Sequence, residues 1–482
     1  MQQQRAAPAG PARGRTFLGH PPGLFVLFFT EMWERFSYYG MRSLLVLYMV
    51  DHLFLRPEID RKVLGFGLIK SGLEAVFGPL APQPLSSQIY GLYTALVYLT
   101  PFFGGMLADR VIGRRRAVIL GAVLMAIGHF LMAVESLFFP ALLFLILGNG
   151  AFKPNIATQV GTLYPPGDPR RDRAFTIFYL GINLGAFFSP LVCGTLGQRF
   201  GWHYGFGAAG VGMVAGLCLY LLGRHALPPE EKRTPRPEDA RGETRRPKQK
   251  QTLSRDEWKR VWALVLICAL NIVFWGIYEQ QGNTLQLWAD RNTNWSFFGL
   301  DFPSTWLQAL NPFLIFLLAP LLNMFWSRQS LRGSEPSSIM KMALGCSLAG
   351  ASYLVMVLAA HGTGPEEHRS AAWLLGTIFI LTVGELYLSP IGLSLVTKTA
   401  PAKIASMMMG VWFLSSFFGN YFSGFLGTFW DRMPREYFFL MLTGLGIGGG
   451  IAIRLLGRPM ERIVAETPQP SEKRPSSSTS LD

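Results

Sequence analysis

Charged residues are scarce in this chain: Asp, Glu, Lys and Arg make up 15% of its 482 residues, against about 25% in an ordinary soluble domain. The chain has only four cysteines, Cys193, Cys218, Cys268 and Cys346, and all four lie in apolar runs without metal-ligand spacing. We therefore expect neither a disulfide framework nor a metal site. Lys and Arg outnumber Asp and Glu by 44 to 30, but nucleic-acid binding needs a charged, watery face that this composition does not offer.

Long apolar runs fill the sequence. Half of the residues (50%) are apolar or aromatic, and we find twelve runs long enough to cross a bilayer, which takes about 20 residues each. Buried helices of a soluble protein are the alternative, but this succession of long runs is typical of membrane proteins. The predicted spans cover residues 22–50, 88–108, 116–134, 137–161, 173–197, 203–223, 259–288, 304–326, 338–360, 371–397, 404–429 and 437–456.

The remaining charge lies mainly between the spans and predicts the domain organisation. A Pro-rich, charged linker separates six spans from six, and Ser254 with Glu257 fits a capping box that starts the seventh helix. Most Lys and Arg residues fall on the side that holds both termini, which the positive-inside rule assigns to the cytoplasm. The predicted parts are a leader (1–21), an N-terminal bundle (22–224) with an outer insertion (51–87), the linker (225–258), a C-terminal bundle (259–457) and a disordered tail (458–482).

A few charges lie inside the predicted spans, where they are costly and normally face a partner or a water-filled pathway. They are Glu31, Glu34, Arg35, Arg42, Lys153, Glu279 and Glu385. At about 100° per residue, the four on the first span share one stripe of the helix with Tyr38. The stripe fits either a structural ion-pair cluster or a polar cavity between two bundles. We favour the cavity because both halves of the chain supply charges.

Several motifs make the chain similar to a known family. The segment EMWERFSYYG (31–40) resembles the ExxERFxYYG signature of the proton-dependent oligopeptide transporter (POT) family, within the major facilitator superfamily. The loop motif GGMLADRVIGRRR (104–116) alone would indicate only the superfamily, whereas the full set is specific to the family. The other matching segments are GNGAFKPN (148–155), FYLGINLGAF (178–187), FWGIYEQQGN (274–283), GELYLSPIGLS (384–394) and VWFLSSFFGN (411–420).

This resemblance implies an all-α membrane protein of the major facilitator fold, with twelve transmembrane helices in two six-helix bundles around a central cavity. It further implies a proton-coupled symporter that imports di- and tripeptides by alternating access, works as a monomer and sits in the cell membrane, here expected to be a bacterial inner membrane. Protons are the coupling ion, and no cofactor, metal or enzymatic activity is expected. The alternatives are a transporter of another solute, such as nitrate or a peptide-like compound, and a non-transporting receptor.

The resemblance also assigns residues to proton coupling. A carboxylate's pKa rises in poorly solvated surroundings and falls beside a cation, so moving a cation loads or releases a proton. Glu31, Glu34 and Arg35 resemble the family's ExxER coupling motif, and Lys153 resembles the lysine that pairs with it. By the same resemblance, Glu279 pairs with a first-helix arginine that maps to Arg42. Animal members have a histidine where this chain has Gly91, so protonation is expected to rest on carboxylates.

The substrate residues follow from the same resemblance. Arg35 and Lys153 are expected to face the peptide carboxylate, and Glu385 to face the amino end. Plain helix packing remains the alternative for the aromatic residues, and interhelical hydrogen bonding for the asparagines. The further predicted substrate-binding residues are Tyr38, Tyr39, Tyr98, Asn183, Trp275, Asn311 and Trp412. The predicted gate or hinge residues are Gly104, Gly105, Asp109, Arg110 and Arg114.

Overall fold

The computed structural model describes residues 16–165, 168–229, 253–297, 299–364 and 367–465 of the chain. These residues are mostly helical. The α-helices are α1 (Pro22–Asp51), α2 (Ile59–Lys62), α3 (Phe66–Phe77), α4 (Pro82–Leu107), α5 (Arg114–Leu131), α6 (Phe138–Thr162), α7 (Arg170–Ser189), α8 (Thr195–Phe200), α9 (Trp202–Gly223), α10 (Arg255–Tyr278), α11 (Thr284–Arg291), α12 (Leu307–Leu331), α13 (Ser338–Ala360), α14 (Ala372–Thr399), α15 (Ala405–Gly427) and α16 (Arg435–Ala465).

Shorter elements join these helices. Two segments are π-helical: Ala108–Ile112 follows α4, and Pro190–Gly194 connects α7 to α8. The 3-10 segments are Leu53–Leu55, Glu135–Leu137, Arg224–Ala226, Glu279–Gly282, Ser304–Trp306 and Ala402–Ile404. The strands are β1 (Thr293–Asn294), β2 (Ser296–Phe297), β3 (Leu300–Asp301) and β4 (Arg369–Ser370). Strands β2 and β3 pair antiparallel, with Ser296 opposite Asp301.

Twelve long helical segments in the described part of the chain correspond to the predicted spans. Nine of them are long and apolar enough to cross a membrane by length and composition. The other three are α1, α5 and α15. Helix α1 carries the charged stripe, α5 begins with three arginines, and α15 is rich in Ser and Gly. These polar residues lower the apolar content without shortening the helices, so length and position still match the prediction.

Three predicted boundaries need correction. Helix α4 begins at Pro82, so the outer insertion ends at residue 81 and not at 87. The last helix runs to Ala465, eight residues into the predicted tail. The seventh span was predicted to begin at residue 259, but helix α10 begins at Arg255. The Ser254 side chain accepts a hydrogen bond from the Glu257 N–H group, which confirms the predicted capping box. The rest of the predicted leader (1–15), linker (230–252) and tail (466–482) lies outside the described residues.

The described residues belong to two compact units, one drawn from Met1–Gly242 with Gln281–Phe316 and the other from Glu243–Gln280 with Leu317–Asp482. The segment 281–316 therefore packs with the first six spans, although it follows the start of the seventh. Gln198 Nε2 donates to Asp290 Oδ1 at 2.9 Å and to Ser304 Oγ at 2.8 Å. Arg291 pairs with Asp51 at 2.6 Å, at the end of α1. These polar contacts hold the segment in the first unit.

Glycines bring the helices of the first unit close together. A Cβ on Gly104 of α4 would overlap the carbonyl oxygen of Gly150 on α6. Gly40 of α1 faces Cys193, whose Sγ would lie 2.6 Å from an added Cβ. Small residues at such crossings allow backbones in a membrane to approach closely. The close packing fixes the rotation of α1 and α6, which carry most of the charged candidates.

We predict that Gly104→Ala destabilises the protein, because the added methyl group must push α4 and α6 apart. Overpacking of this kind costs about 1–3 kcal/mol. The neighbouring Gly105 is a matched control, since its Cβ would meet Pro154 at an ordinary 3.8 Å. In detergent-solubilised protein, Gly104→Ala should lower the midpoint of thermal unfolding while Gly105→Ala leaves it nearly unchanged. Equal midpoints for the two variants would contradict the packing role of Gly104.

The outer insertion is held against the turn between α5 and α6. Leu64 N–H donates to the Ser136 carbonyl at 2.9 Å. Phe66, at the start of α3, packs on Phe54 and Phe139 with ring centroids 5.4 and 6.3 Å apart. The insertion is thus an ordered part of the first unit with its own short helices.

Candidate functional site

Helix α1 presents a buried cluster of two acids and one base. The side chains of Glu31, Glu34 and Arg35 are 3%, 0% and 4% exposed. Arg35 Nε lies 3.1 Å from Glu31 Oε1 and 2.5 Å from Glu34 Oε2. Glu31 Oε2 and Arg35 Nη2 make no hydrogen bond to any described residue. One guanidinium therefore neutralises two buried carboxylates only in part, and the cluster keeps capacity for another charged or hydrogen-bonding group.

Helix α6 brings its polar residues to this cluster. Asn149 Nδ2 donates to Glu34 Oε1 at 3.3 Å. Lys153 lies close enough to interact electrostatically with Glu31 and Glu34, and its Nζ lies 4.5 Å from the centre of the Tyr98 ring on α4. The structure thus brings Lys153 close to the α1 cluster, with Tyr98 beside it; their roles in coupling and substrate binding stay predictions.

The outer half of the stripe on α1 contacts tyrosines. The Arg42 guanidinium donates from Nε to the Tyr90 hydroxyl at 2.8 Å and lies 5.9 Å from the Tyr39 ring centre. The Arg35 guanidinium lies 5.4 Å from the ring centre of Tyr38. Cation–π contacts of this kind orient a guanidinium without removing its charge. The predicted pairing of Arg42 with Glu279 stays a prediction.

The second unit contributes the remaining acidic candidates. Glu385 on α14 is half-buried, and its Oε2 accepts a hydrogen bond from the Tyr278 hydroxyl at 2.8 Å. Glu279 is 2% exposed and follows Tyr278 directly, at the start of the 3-10 segment that ends α10. Two carboxylates thus belong to one small region of the second unit, and Tyr278 orients one of them.

Two predicted pocket tryptophans are closely packed in the second unit. A Cβ on Gly392 would overlap the Trp412 ring, and a Cβ on Gly419 would overlap Cβ of Trp275. The Trp412 side chain is 4% exposed, whereas Trp275 is half-buried with its ring 5.4 Å from Tyr278. Trp412 is thus closely packed, and Trp275 lies beside the tyrosine that contacts Glu385. Substrate binding by either tryptophan stays a prediction.

The two predicted asparagines differ in their surroundings. Asn183 is buried and donates from Nδ2 to the Tyr179 carbonyl at 3.0 Å, one turn earlier on its own helix. Asn311 on α12 is half-buried. The bond of Asn183 is thus within α7 and not the interhelical bond offered as the alternative to substrate binding.

The predicted gate residues lie where α4 meets α5. Asp109 and Arg114 form an exposed ion pair at 3.2 Å across the π-helical segment, and Arg110 is exposed. An exposed pair contributes little to stability, roughly 0–1 kcal/mol. Gly104, by contrast, is buried at the α4–α6 crossing. The structure thus gives Gly104 a packing role, and gating by the exposed group remains a prediction.

Three residues in contact with the site were missing from the sequence-based candidates: Asn149, Tyr90 and Tyr278. Helical spacing could have found two of them. Asn149 lies four residues before Lys153, and Tyr90 lies two turns before Tyr98. Residues four apart share a helix face, so each lies on the same face as a predicted candidate. Tyr278 is adjacent to Glu279, so helical spacing does not place it on the same face.

We predict that Tyr278→Phe weakens the apparent affinity for substrate in uptake without affecting folding, because it removes only the hydroxyl that orients Glu385. A hydrogen bond to a charged group contributes about 1.5–3 kcal/mol, so the concentration for half-maximal uptake should rise about tenfold or more. Tyr437→Phe, at a 60% exposed position, is the control. An unchanged half-maximal concentration in Tyr278→Phe would show that the hydroxyl does not hold Glu385 in a working position.

The described residues contain no group of three or more His, Cys, Asp or Glu side chains that could hold a metal ion. Glu31 and Glu34 share one cation, so the ionisation of one carboxylate affects that of the other. Their role in proton coupling stays a prediction.

The sequence as a whole is similar to known proteins. The sequence matches the POT family over residues 115–235 and 237–441. It is 33% identical to a di-/tripeptide transporter of Lactococcus lactis subsp. cremoris, over 94% of this chain and 98% of that protein. It is 34% identical to the peptide transporter YePEPT of Yersinia enterocolitica, over 86% of this chain and 89% of that protein.

Solved structures of peptide transporters are also similar to this chain. A crystal structure of peptide transporter POT in complex with sulfate is 33% identical, with a TM-score of 0.79 over 93% of this chain and 97% of that one. A mutant of peptide transporter POT in complex with alafosfalin has a TM-score of 0.77 at 33% identity and the same coverage. This likeness confirms the predicted fold, an all-α membrane protein of the major facilitator type with twelve helices.

Proposed function

The chain belongs to the POT family, and from this premise we propose that it is a symporter that imports di- and tripeptides together with protons by alternating access. The relatives that support the substrate class are named di-/tripeptide and peptide transporters. Alafosfalin, present in one related structure, is a peptide-like ligand. The expected ligand is therefore a short zwitterion.

The observation that carries the proposal is the sharing of Arg35 by Glu31 and Glu34. Both carboxylates lie within 3.1 Å of one guanidinium nitrogen and are at most 3% exposed. Two buried acids beside one base leave a net negative charge that burial disfavours, so one proton or one further cation restores neutrality. Lys153 provides such a cation on α6. A peptide carboxylate that draws a cation away would favour protonation of the acids, and this couples the two ligands.

The predicted substrate residues carry both signs of charge that a zwitterion needs. Arg35 and Lys153 are the proposed partners of a peptide carboxylate, and Glu385 is the proposed partner of an amino group. An anion such as nitrate would gain nothing from the acid, and a non-transporting receptor would not need titratable groups in its membrane helices. The charges therefore favour a peptide over both alternatives.

We place the protein in a bacterial inner membrane with both termini in the cytoplasm, acting as a monomer without a cofactor or enzymatic activity. Its relatives and its apolar helices make it an integral membrane protein. The orientation rests on the basic residues between α4 and the first turn of α5 and on those in the first turn of α7, which the positive-inside rule assigns to the cytoplasm.

Uptake of labelled dialanine into proteoliposomes under an inward proton gradient tests the proposal. We expect accumulation that depends on the gradient and ceases when a protonophore is added. Liposomes without protein set the background, and labelled nitrate and N-acetylated dialanine test the other substrates. Absence of uptake, or uptake indifferent to the gradient, would refute the proposed symport.

A further inference from the structure

An apolar groove lies on the first unit between α1, α7 and α9. It has a volume of about 510 Å³, within the roughly 300–1,000 Å³ typical of ligand sites. Its walls carry no charged side chain. The large side chains along it are Met32, Trp33 and Phe36 from α1, Leu184 and Phe188 from α7, and Val211 from α9.

Glycines form the bottom of the groove. A Cβ on Gly212 of α9 would lie 2.6 Å from the Phe36 ring, and a Cβ on Gly185 of α7 would overlap the Met32 carbonyl oxygen. The three helices therefore meet closely along one line, and their larger side chains diverge from it. This arrangement produces an elongated recess with walls on three helices.

The groove opens on a surface of exposed apolar side chains. Phe188 is 47% exposed, Val192 42% and Val211 62%, and all of them belong to helical segments that are long and apolar enough to cross a membrane. Large apolar side chains so exposed are compatible only with an apolar surrounding, which the bilayer provides. What occupies the recess must therefore be part of the hydrocarbon layer.

We propose that the groove is a binding site for one acyl chain of a membrane phospholipid. Apolar surface alone gives no preference among lipids, because lipid tails are as apolar as the walls. The gain comes from dispersion contacts with three fixed walls, where a chain on a convex helix surface touches one side only. The bound lipid should therefore be a preferred neighbour of the protein and not merely one of the surrounding lipids.

The site lies directly behind the charged cluster of α1. Taking Glu31 as 0° and about 100° per residue, Met32, Phe36 and Trp33 lie at about 100°, 140° and 200°, opposite the stripe of charges. Gly185 touches both faces, since its Cβ would also lie 3.0 Å from Cβ of Arg35. The acyl chain thus packs on the reverse side of the helix turn that carries Glu31, Glu34 and Arg35.

Photo-crosslinking tests the site in the full-length protein. The protein is reconstituted in nanodiscs with a phospholipid that carries a diazirine in its acyl chain, and labelled peptides are mapped by mass spectrometry. We expect labelling of the Met32–Phe36 segment to exceed that of the exposed apolar residues Leu222 and Leu358 by about fivefold, which corresponds to about 1 kcal/mol. Even labelling over all exposed apolar residues would overturn the proposal.

Variants that fill the groove provide a second test of the proposed lipid site. Ala208→Trp places a large ring in the recess from α9 and should reduce labelling of the Met32–Phe36 segment about fivefold, RT ln 5 being about 1 kcal/mol. Leu222→Trp on the same helix, at an 80% exposed position away from the groove, should leave that labelling unchanged. Val211→Trp replaces Ala208→Trp if the latter does not give a monodisperse protein.

Competition distinguishes the source of the acyl chain. An excess of unlabelled phospholipid should lower the labelling in proportion to its amount, whereas a small amount of free fatty acid should not. If free fatty acid abolishes the labelling, or if the labelling reflects a second copy of the protein and disappears at high lipid-to-protein ratio, the phospholipid assignment is wrong. None of these outcomes depends on peptide transport, so they stand apart from the test of symport.

Discussion

Glu34→Gln is expected to abolish proton-driven peptide uptake while leaving exchange of peptide for peptide intact. The Glu34 carboxylate is fully buried, lies 2.5 Å from Arg35 Nε and accepts a hydrogen bond from Asn149. A carboxamide of the same size keeps the packing but has no proton to exchange, so gradient-driven uptake should fall to background, a loss of about two orders of magnitude or more. Exchange does not require deprotonation and should persist.

Two uptake assays on the same proteoliposomes check this result. One imposes an inward proton gradient, and the other loads the vesicles with unlabelled peptide and measures entry of the labelled one. Glu58→Gln is the control, because Glu58 is 61% exposed on the outer insertion and has no place in the buried cluster. Surviving gradient-driven uptake in Glu34→Gln would show that Glu34 is not the coupling acid. Loss of both activities would point to damage of the fold or of substrate binding.

Glu385→Gln should remove the preference for a free amino terminus. Glutamine retains an oxygen that can accept the Tyr278 hydrogen bond but not the negative charge that a peptide ammonium group would meet. The lost charged hydrogen bond is worth about 1.5–3 kcal/mol, so affinity for a zwitterionic dipeptide should fall about 10- to 100-fold. Affinity for the N-acetylated peptide should stay the same, because that peptide offers no cation to the site.

Binding of the two peptides to the solubilised protein, measured by calorimetry or by competition, checks this prediction. The control is Glu367→Gln, at a position 49% exposed in a loop of the second unit. A Glu385→Gln protein that loses affinity equally for both peptides would contradict contact with the amino end. Equal affinity before and after the change would remove Glu385 from the substrate site.

Hydropathy predicted the helices well but misplaced the start of α4. The first turns of this helix carry Gln83, Ser86 and Ser87, and all three are buried. Gln83 donates to Ser87, which donates to Asn283 of the same unit at 2.8 Å. Polar residues on a membrane helix are tolerated when protein groups satisfy them. An apolar run marks only the part of a helix that faces lipid or apolar side chains, so this polar part was assigned to the insertion.

The difference between charged and uncharged polar residues explains which site residues could be predicted from the sequence. Charged residues stand out in a membrane helix because their burial is costly, and Glu31, Glu34, Arg35 and Lys153 were found on that ground. Asn149 and Tyr278 carry no charge, and Asn and Tyr also occur in helices as ordinary packing residues. Their contacts with Glu34 and Glu385 depend on helix rotation and spacing, which the close-packed glycines fix and which composition does not report.

The charged stripe on α1 also has a consequence for biogenesis. In insertion experiments a charged residue at the centre of a helix costs about 2.5–3.5 kcal/mol, whereas each Leu, Ile, Phe or Val contributes about −0.3 to −0.6 kcal/mol. From Pro22 to Val50, helix α1 carries four charges against twelve Leu, Phe or Val residues, so the four charges together cost more than these apolar residues return.

Among the described membrane helices, α1 is therefore one of the least able to remain in the bilayer by itself. Its stabilising partners follow it in the sequence: Tyr90 on α4 for Arg42, and Asn149 on α6 for Glu34. Stable insertion of α1 must then wait until α6 has been synthesised. The buried charges that suit this protein to coupled transport thus also make its assembly a cooperative process, in which the order of synthesis and the order of stable insertion differ.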